Sequence, residues 1–345
     1  MIDTALHATT GGESRAMAWF AERAKWRWPE FALWIAAFAL AFVFPSRSAL
    51  FNEVAILALF ALSLDIVLGY AGIVSLGHGA FFGLGAYVAG LLAKAGGGAG
   101  LYSDPTFGLL VAAAVCGFVG YLTSFLVLRG ADLTRLMVTL GVALIFAELA
   151  NRMAWLTGGA DGLQGVLPGK ILGLVEFNFM HPEYAYLYSL SVLFILFIVA
   201  RKVINSPFGV SLRAIKGNAL RAGAIRINVN RRLNGAYTMG AAYAGVAGAL
   251  LAQTTAFVSL DVLEFHRSAD VMLIVIFGGV GTLYGAIVGA AAFKMLYDLL
   301  AAATPQYWQF WLGLILVLLV LFVRGGIMGL VSGLYARMTG KGETP

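Results

Sequence analysis

The sequence has little charge, a single cysteine, four histidines and no phosphate-binding loop. Charged residues make up 12% of the 345. Soluble domains run near a quarter, so this composition excludes an ordinary soluble domain. The lone Cys116 excludes a disulfide framework and a cysteine-held metal. His78 shares its apolar stretch with no second histidine, and His7, His181 and His266 fall in tails or loops, so the sequence offers no metal site. No Gly-x-x-x-x-Gly-Lys-Ser/Thr run occurs. The nearest candidate, Gly169-Lys170, lacks both the upstream glycine and the following hydroxyl. No Ser-His-Asp or paired-carboxylate constellation of the kind a hydrolase needs is visible. The first residues hold no short apolar core with a small-residue cleavage site, so no cleaved signal peptide is expected.

What the chain does have is apolar length: 61% of its residues are hydrophobic. Spans of roughly 20 residues cross a bilayer. Such stretches run near 31–44, 49–68, 76–93, 107–128, 135–156, 185–203, 233–253, 269–285, 287–303 and 309–323. The expected fold is an all-α polytopic membrane protein of about ten transmembrane helices. The net charge of +6 does not point to nucleic acid, because the basic residues sit in loops between apolar spans. With the N-terminus inside, one side holds Arg15, Arg23, Lys25, Arg27, Arg129, Arg135, Arg324, Arg337, Lys341 and the basic run from Arg201 to Arg232. The other side holds only Arg47, Lys94, Arg152, Lys170 and Arg267. The positive-inside bias therefore puts both termini in the cytoplasm. Residues 1–28 read as a cytoplasmic segment whose Trp19, Phe20, Trp26 and Trp28 interleave with basic residues, as in an interfacial helix; a partly disordered tail over 1–12 is equally compatible. Residues 29–325 read as one transmembrane domain, including a cytoplasmic loop at 204–232, and 326–345 as a cytoplasmic tail.

Two glycine-rich runs interrupt this pattern. The first extends from Gly69-Tyr70-Ala71-Gly72 through Ser75-Leu76-Gly77-His78-Gly79 to Gly83, Gly85 and Tyr87. In lipid, irregular backbone persists only where protein or a water-lined cavity covers it. Gly79 and Gly83 also have the small-xxx-small spacing that lets helices approach. The second run comprises Gly278, Gly279, Gly281, Gly285 and Gly289. Paired glycine-interrupted spans point to transporter repeats with a midplane site, though glycine is common in membrane helices, so the repeat stays open here.

The inner loop carries the clearest helix signal outside the spans. Ser206 is a cap, Pro207 suits a first turn, and Phe208, Leu212, Ile215, Ala219 and Ala222 recur at helical steps. Arg213, Lys216 and Arg221 project elsewhere. The periodicity fits a docking helix for a soluble partner, or a helix lying on the anionic inner leaflet. Asp65, His78, Glu148, Lys294 and Asp298 fall in or near apolar spans and must face protein or water. Lys294 and Asp298 are spaced as a pair on one helix face. Glu148 is placed to pair with Asn151 or Arg152. Asp65 stands one turn before the glycine run, where it could cap or orient it.

Four motifs in order resemble one family, the M-type permease subunits of bacterial branched-chain amino acid ABC transporters. They are the Gly69–Tyr87 run, Leu156-Thr157-Gly158-Gly159-Ala160-Asp161-Gly162-Leu163, the segment from Ser206-Pro207-Phe208-Gly209 to Ile227-Asn228-Val229, and Gly278-Gly279-Val280-Gly281-Thr282-Leu283-Tyr284-Gly285. They cover roughly residues 50–325. The resemblance implies an inner-membrane permease, not an enzyme, that binds no cofactor. ATP would be hydrolysed by two partner ATPase subunits docked on Ser206, Pro207, Phe208, Gly209, Leu212, Arg213, Ile215 and Arg221. A second homologous permease would complete the membrane core, and a periplasmic binding protein would deliver the substrate. The implied pathway candidates are Asp65, Gly72, Ser75, Gly77, His78, Gly79, Gly83, Glu148, Gly279 and Gly281, with Asp161 in the outer loop. A zwitterionic substrate with an apolar side chain would need backbone groups or a helix end for its carboxylate and an apolar wall. Arg226, Leu260, Ala286 and Asp132-Leu133-Thr134 depart from the family pattern, which leaves the substrate and the ATPase partner open. Urea or a short aliphatic amide carried by the same machinery, and an ion-driven secondary transporter, are the competing readings; a scaffold without transport is a poorer fit to the glycine runs.

Overall fold

The computed structural model describes residues 28–98, 100–130, 132–171, 175–176, 181–322, 325–330 and 333. The expected interfacial helix at 1–27 and most of the tail lie outside them. The apolar stretches are largely helical: α1 (Trp28–Val43), α2 (Ser48–Leu64), α3 (His78–Gly96), α4 (Pro105–Val127), α5 (Asp132–Arg152), α7 (Pro182–Ile204), α10 (Val229–Thr255), α11 (Phe265–Gly278), α12 (Leu283–Ala303) and α13 (Trp308–Phe322). Short helices α6 (Ala154–Thr157), α8 (Pro207–Gly217) and α9 (Ala219–Ala224) lie between them. A two-stranded antiparallel hairpin, β1 (Lys170–Ile171) with β2 (Val175–Glu176), decorates the loop before α7. Among the described residues six helical stretches are long and apolar enough to cross a membrane: Pro45–Tyr70, His78–Gly96, Pro105–Val127, Leu133–Arg152, Pro182–Ile204 and Leu283–Ala303. The chain is an all-α, multi-pass membrane protein.

The core is built around α10. Its apolar character is modest, but its small side chains let neighbours close in from several directions, chiefly α3, α4 and α2. A Cβ on Gly248 would lie 1.8 Å from the Phe82 carbonyl oxygen, and one on Gly85 would lie 2.1 Å from the Gly245 carbonyl oxygen. Backbones this close replace the hydrophobic drive that lipid does not supply. Polar side chains add cross-helix bonds. Ser189 donates to Asn52 Oδ1 at 2.6 Å, joining α7 to α2, and Gln253 donates to the Pro105 carbonyl at 2.8 Å, joining α10 to α4. At one end of the bundle Arg201 binds both Glu30 and the Tyr284 hydroxyl, fastening α1, α7 and α12 together.

Two features depart from the sequence reading. The apolar stretch 269–285 is not one helix: α11 stops at Gly278, where Gly279 takes φ +115° and Gly281 φ +82°. The segment after α10 also packs against α3, a contact that the sequence reading did not include. There a Cβ on Gly83 would collide with Leu263, and Gly79 faces Ser268. Past residue 325 the chain keeps packing, since Gly326 lies against Phe277 and Gly279.

Candidate functional site

The first glycine run is a true break. The last turn of the α2 span widens into a π-helical segment at Asp65–Tyr70. Gly72 then takes φ +73°, and regular structure resumes only at His78. Every buried backbone N–H here needs a partner. Ile73 N–H donates to the Val67 carbonyl at 3.0 Å, and Gly77 N–H to Ser75 Oγ at 3.3 Å. Two distant side chains supply further acceptors: Thr139 Oγ1 on α5 accepts from Leu76 at 3.2 Å, and Ser268 Oγ on α11 accepts from Gly79 at 2.8 Å. His78 is fully buried against the Phe60 and Phe81 rings.

Just before the break, three segments meet. Asp65 is fully buried, and its Oδ1 accepts from the Gly281 N–H at 2.6 Å. Gly69 must be glycine at this crossing, because a Cβ would sit 2.2 Å from Asp65 Oδ1 and 2.6 Å from Gly281 N. The two glycine runs noticed in the sequence therefore touch each other. The third segment is α8. Lys216 Nζ donates to the Gly69 carbonyl at 2.7 Å, and its stem packs on Gly72. The Arg213 guanidinium lies 5.3 Å from the centre of the Tyr70 ring, within cation–π range. So the amphipathic helix α8 is joined directly to the break.

Local sequence sets α8 in this position. Ser206 caps its N-terminus by accepting from Phe208 N–H, and Pro207 occupies the first turn. Leu212 and Ile215 are buried, while the backbone at Gly209 presses on the Ile204 carbonyl. The expected periodicity through Ala222 holds in register but not in continuity. Asn218 ends α8 and caps α9 by accepting from Arg221 N–H at 3.0 Å, so Arg221 belongs to a second helix and is exposed.

The remaining sequence candidates scatter. Gly279 packs on Gly325. Glu148 is exposed on α5 and pairs with Arg152 at 2.6 Å, away from the break. Asp161 is exposed in a short turn. Lys294 and Asp298 pair at 3.1 Å as their spacing predicted, and Lys294 also reaches Glu53 at 2.9 Å.

A cleft of about 610 Å³ opens between α2, α11, α12 and α13, and none of the pathway candidates named from sequence lines it. Its charged lining includes Glu53, Arg267, Asp270 and Lys294. The sequence reading passed over Glu53 and Asp270, although both are charges inside predicted spans and so carried the usual signal.

A family model described as "Branched-chain amino acid transport system / permease component" matches residues 46–323. The chain belongs to this family. Two curated members are the "High-affinity branched-chain amino acid transport system permease protein LivM" of Escherichia coli strain K12 and that of Salmonella typhimurium strain LT2. Each is 29% identical over 288 residues, covering 77% of this chain and 66% of the relative. The match thus spans slightly less than two thirds of these relatives' length. No solved structure gives a significant match. The break, the Gly279–Gly281 turn and α8 all lie within the matched residues 46–323.

Proposed function

We propose that this chain is a permease subunit of a binding-protein-dependent ABC importer that carries branched-chain amino acids across the bacterial inner membrane. Ten crossings with both termini in the cytoplasm complete the topology. A second homologous permease pairs with it, two ATPase subunits dock on α8 and α9, and a periplasmic binding protein supplies the substrate. The chain itself binds no cofactor, and ATP is used by the partners. The family match and the names of the relatives support the substrate class.

The observation that carries the mechanism is the bond from Lys216 to the Gly69 carbonyl, with Arg213 stacked on Tyr70. A push on α8 by a docked ATPase reaches the unwound end of α2 within one side chain. From there Asp65 passes it to the Gly281 turn between α11 and α12. Irregular segments absorb such displacements at low cost, because few ladder hydrogen bonds must break. ATP binding and hydrolysis in the partners thereby shift the helices lining the pathway.

Reconstitution of the co-purified transporter tests this reading. Leucine, isoleucine and valine should enter proteoliposomes only with ATP and the binding protein. Uptake of urea or acetamide in their place, or uptake by this chain alone under an ion gradient, would overturn it.

A further inference from the structure

The cleft beside α2 has a composition and a depth that the α8 junction does not explain. At about 1.5 Å per residue, Glu53 lies about 8 Å and Phe60 about 18 Å from the Ser48 end of α2. Both line the cleft, so one wall of it is formed by a helix long and apolar enough to cross a membrane. Charges on such a wall mark function by default. The volume of about 610 Å³ falls within the range of small-molecule sites.

The charges are unevenly matched. Lys294 is held by Glu53 and Asp298. Arg267 donates to Asp261 Oδ2 through Nε at 3.2 Å and Nη2 at 2.7 Å. His266 sits between Asp261 and Glu264, at 3.2 and 3.1 Å. The fifth carboxylate, Asp270, has no hydrogen bond or ion pair among the described residues, yet it is half-buried in the cleft wall. It follows Arg267 by one turn of α11, so a carboxylate that feels the charges of Arg267 and His266 but accepts no hydrogen bond stands on one helix face with a cation that keeps spare N–H donors. Below them the wall turns apolar, with Val271 and Ile274 on α11 facing Leu57, Phe60 and Phe82.

We propose that this cleft is a transient binding site for the zwitterion of an aliphatic α-amino acid, with the ammonium on Asp270, the carboxylate on Arg267 and the side chain against Val271, Ile274 and Phe60. The assignment rests on the importer reading above and gives that reading a location. It also explains selection. A neutral amide of similar size leaves both charges uncompensated, and a site built to pair with charged groups discriminates strongly against a ligand that lacks them. Arg267 stays bound to Asp261 throughout, which keeps the site weak enough to release its cargo.

The test uses membrane vesicles carrying the intact transporter. Asp270→Asn should lower kcat/KM for leucine uptake at least about tenfold, the loss of one charge-assisted hydrogen bond, and Asp270→Glu should restore most of it. Equal uptake by Asp270→Asn at matched membrane abundance would overturn the assignment. Should that variant be absent from the membrane, protection of a Gln309→Cys chain decides. Cys116 is buried, so within this chain a maleimide reads the new thiol, followed on the separated subunit, and leucine should slow its alkylation at least about threefold while urea does not; no protection by leucine would overturn the assignment. If parental vesicles take up no aliphatic amino acid at all, the importer reading itself fails, which the same parental control reports separately.

Discussion

Lys216→Met isolates the link between α8 and the break. Methionine keeps the unbranched stem that packs on Gly72 and removes only the ammonium that donates to the Gly69 carbonyl at 2.7 Å. A hydrogen bond from a charged donor contributes about 1.5–3 kcal/mol, and the exposure of the rest of Lys216 reduces this to about 1–2 kcal/mol. That corresponds to about a 5–30-fold shift in the equilibrium that holds α8 against the unwound turn. The capped start of α8 and its buried Leu212 and Ile215 are untouched, so ATPase docking should survive. The expected result is ATP hydrolysis near the parental rate, with leucine moved per ATP falling about fivefold or more. Proteoliposomes containing the complete transporter give both quantities from one preparation. A transport-to-hydrolysis ratio within twofold of the parent, at equal incorporation, would refute the coupling route through Gly69.

Two further substitutions probe the framework. Gly248→Ala sets a Cβ 1.8 Å from the Phe82 carbonyl oxygen in a contact between two backbones; it should destabilise the chain by about 1–3 kcal/mol or more through forced separation of α10 from α3, seen as a lowered Tm in detergent. Asp65→Ala leaves the Gly281 N–H without its acceptor and should cost about 1–3 kcal/mol, whereas Asp65→Asn retains an acceptor oxygen and should recover most of the thermal stability; equal loss in both would mean that the carboxylate charge, and not the bond to Gly281, matters.

Much of this architecture is legible in the sequence because its signals are local. Apolar length marks the helices, Ser206-Pro207 marks the start of α8, and the helical spacing of Lys294 and Asp298 anticipates their pairing. The glycine runs were visible as interruptions, but not their mutual contact, since nothing near Gly69 specifies that Gly281 crosses it. The glycine run at Gly278–Gly281 marked an interruption without placing the end of α11, because the apolar residues on either side of it continue while the backbone takes positive φ at Gly279 and Gly281. The cleft was missed because its wall is assembled from α2, α11, α12 and α13, far apart in sequence, and because Asp261, His266 and Arg267 at the start of α11 look like a solvent loop. Asn218 is a miss of another kind, since a cap residue ahead of Ala-Leu-Arg was present to be noticed.

The borrowed acceptors at the break constrain how such a chain can be altered. Leu76 and Gly79 lean on hydroxyls carried by Thr139 and Ser268, residues far away in sequence on separate helices. A chimera exchanging residues 69–79 with those of another permease would import a loop whose anchors were left behind. Transplants between relatives should therefore succeed only when all three stretches travel as a set, and the evolutionary unit here is a spatial knot of side chains, not a contiguous cassette.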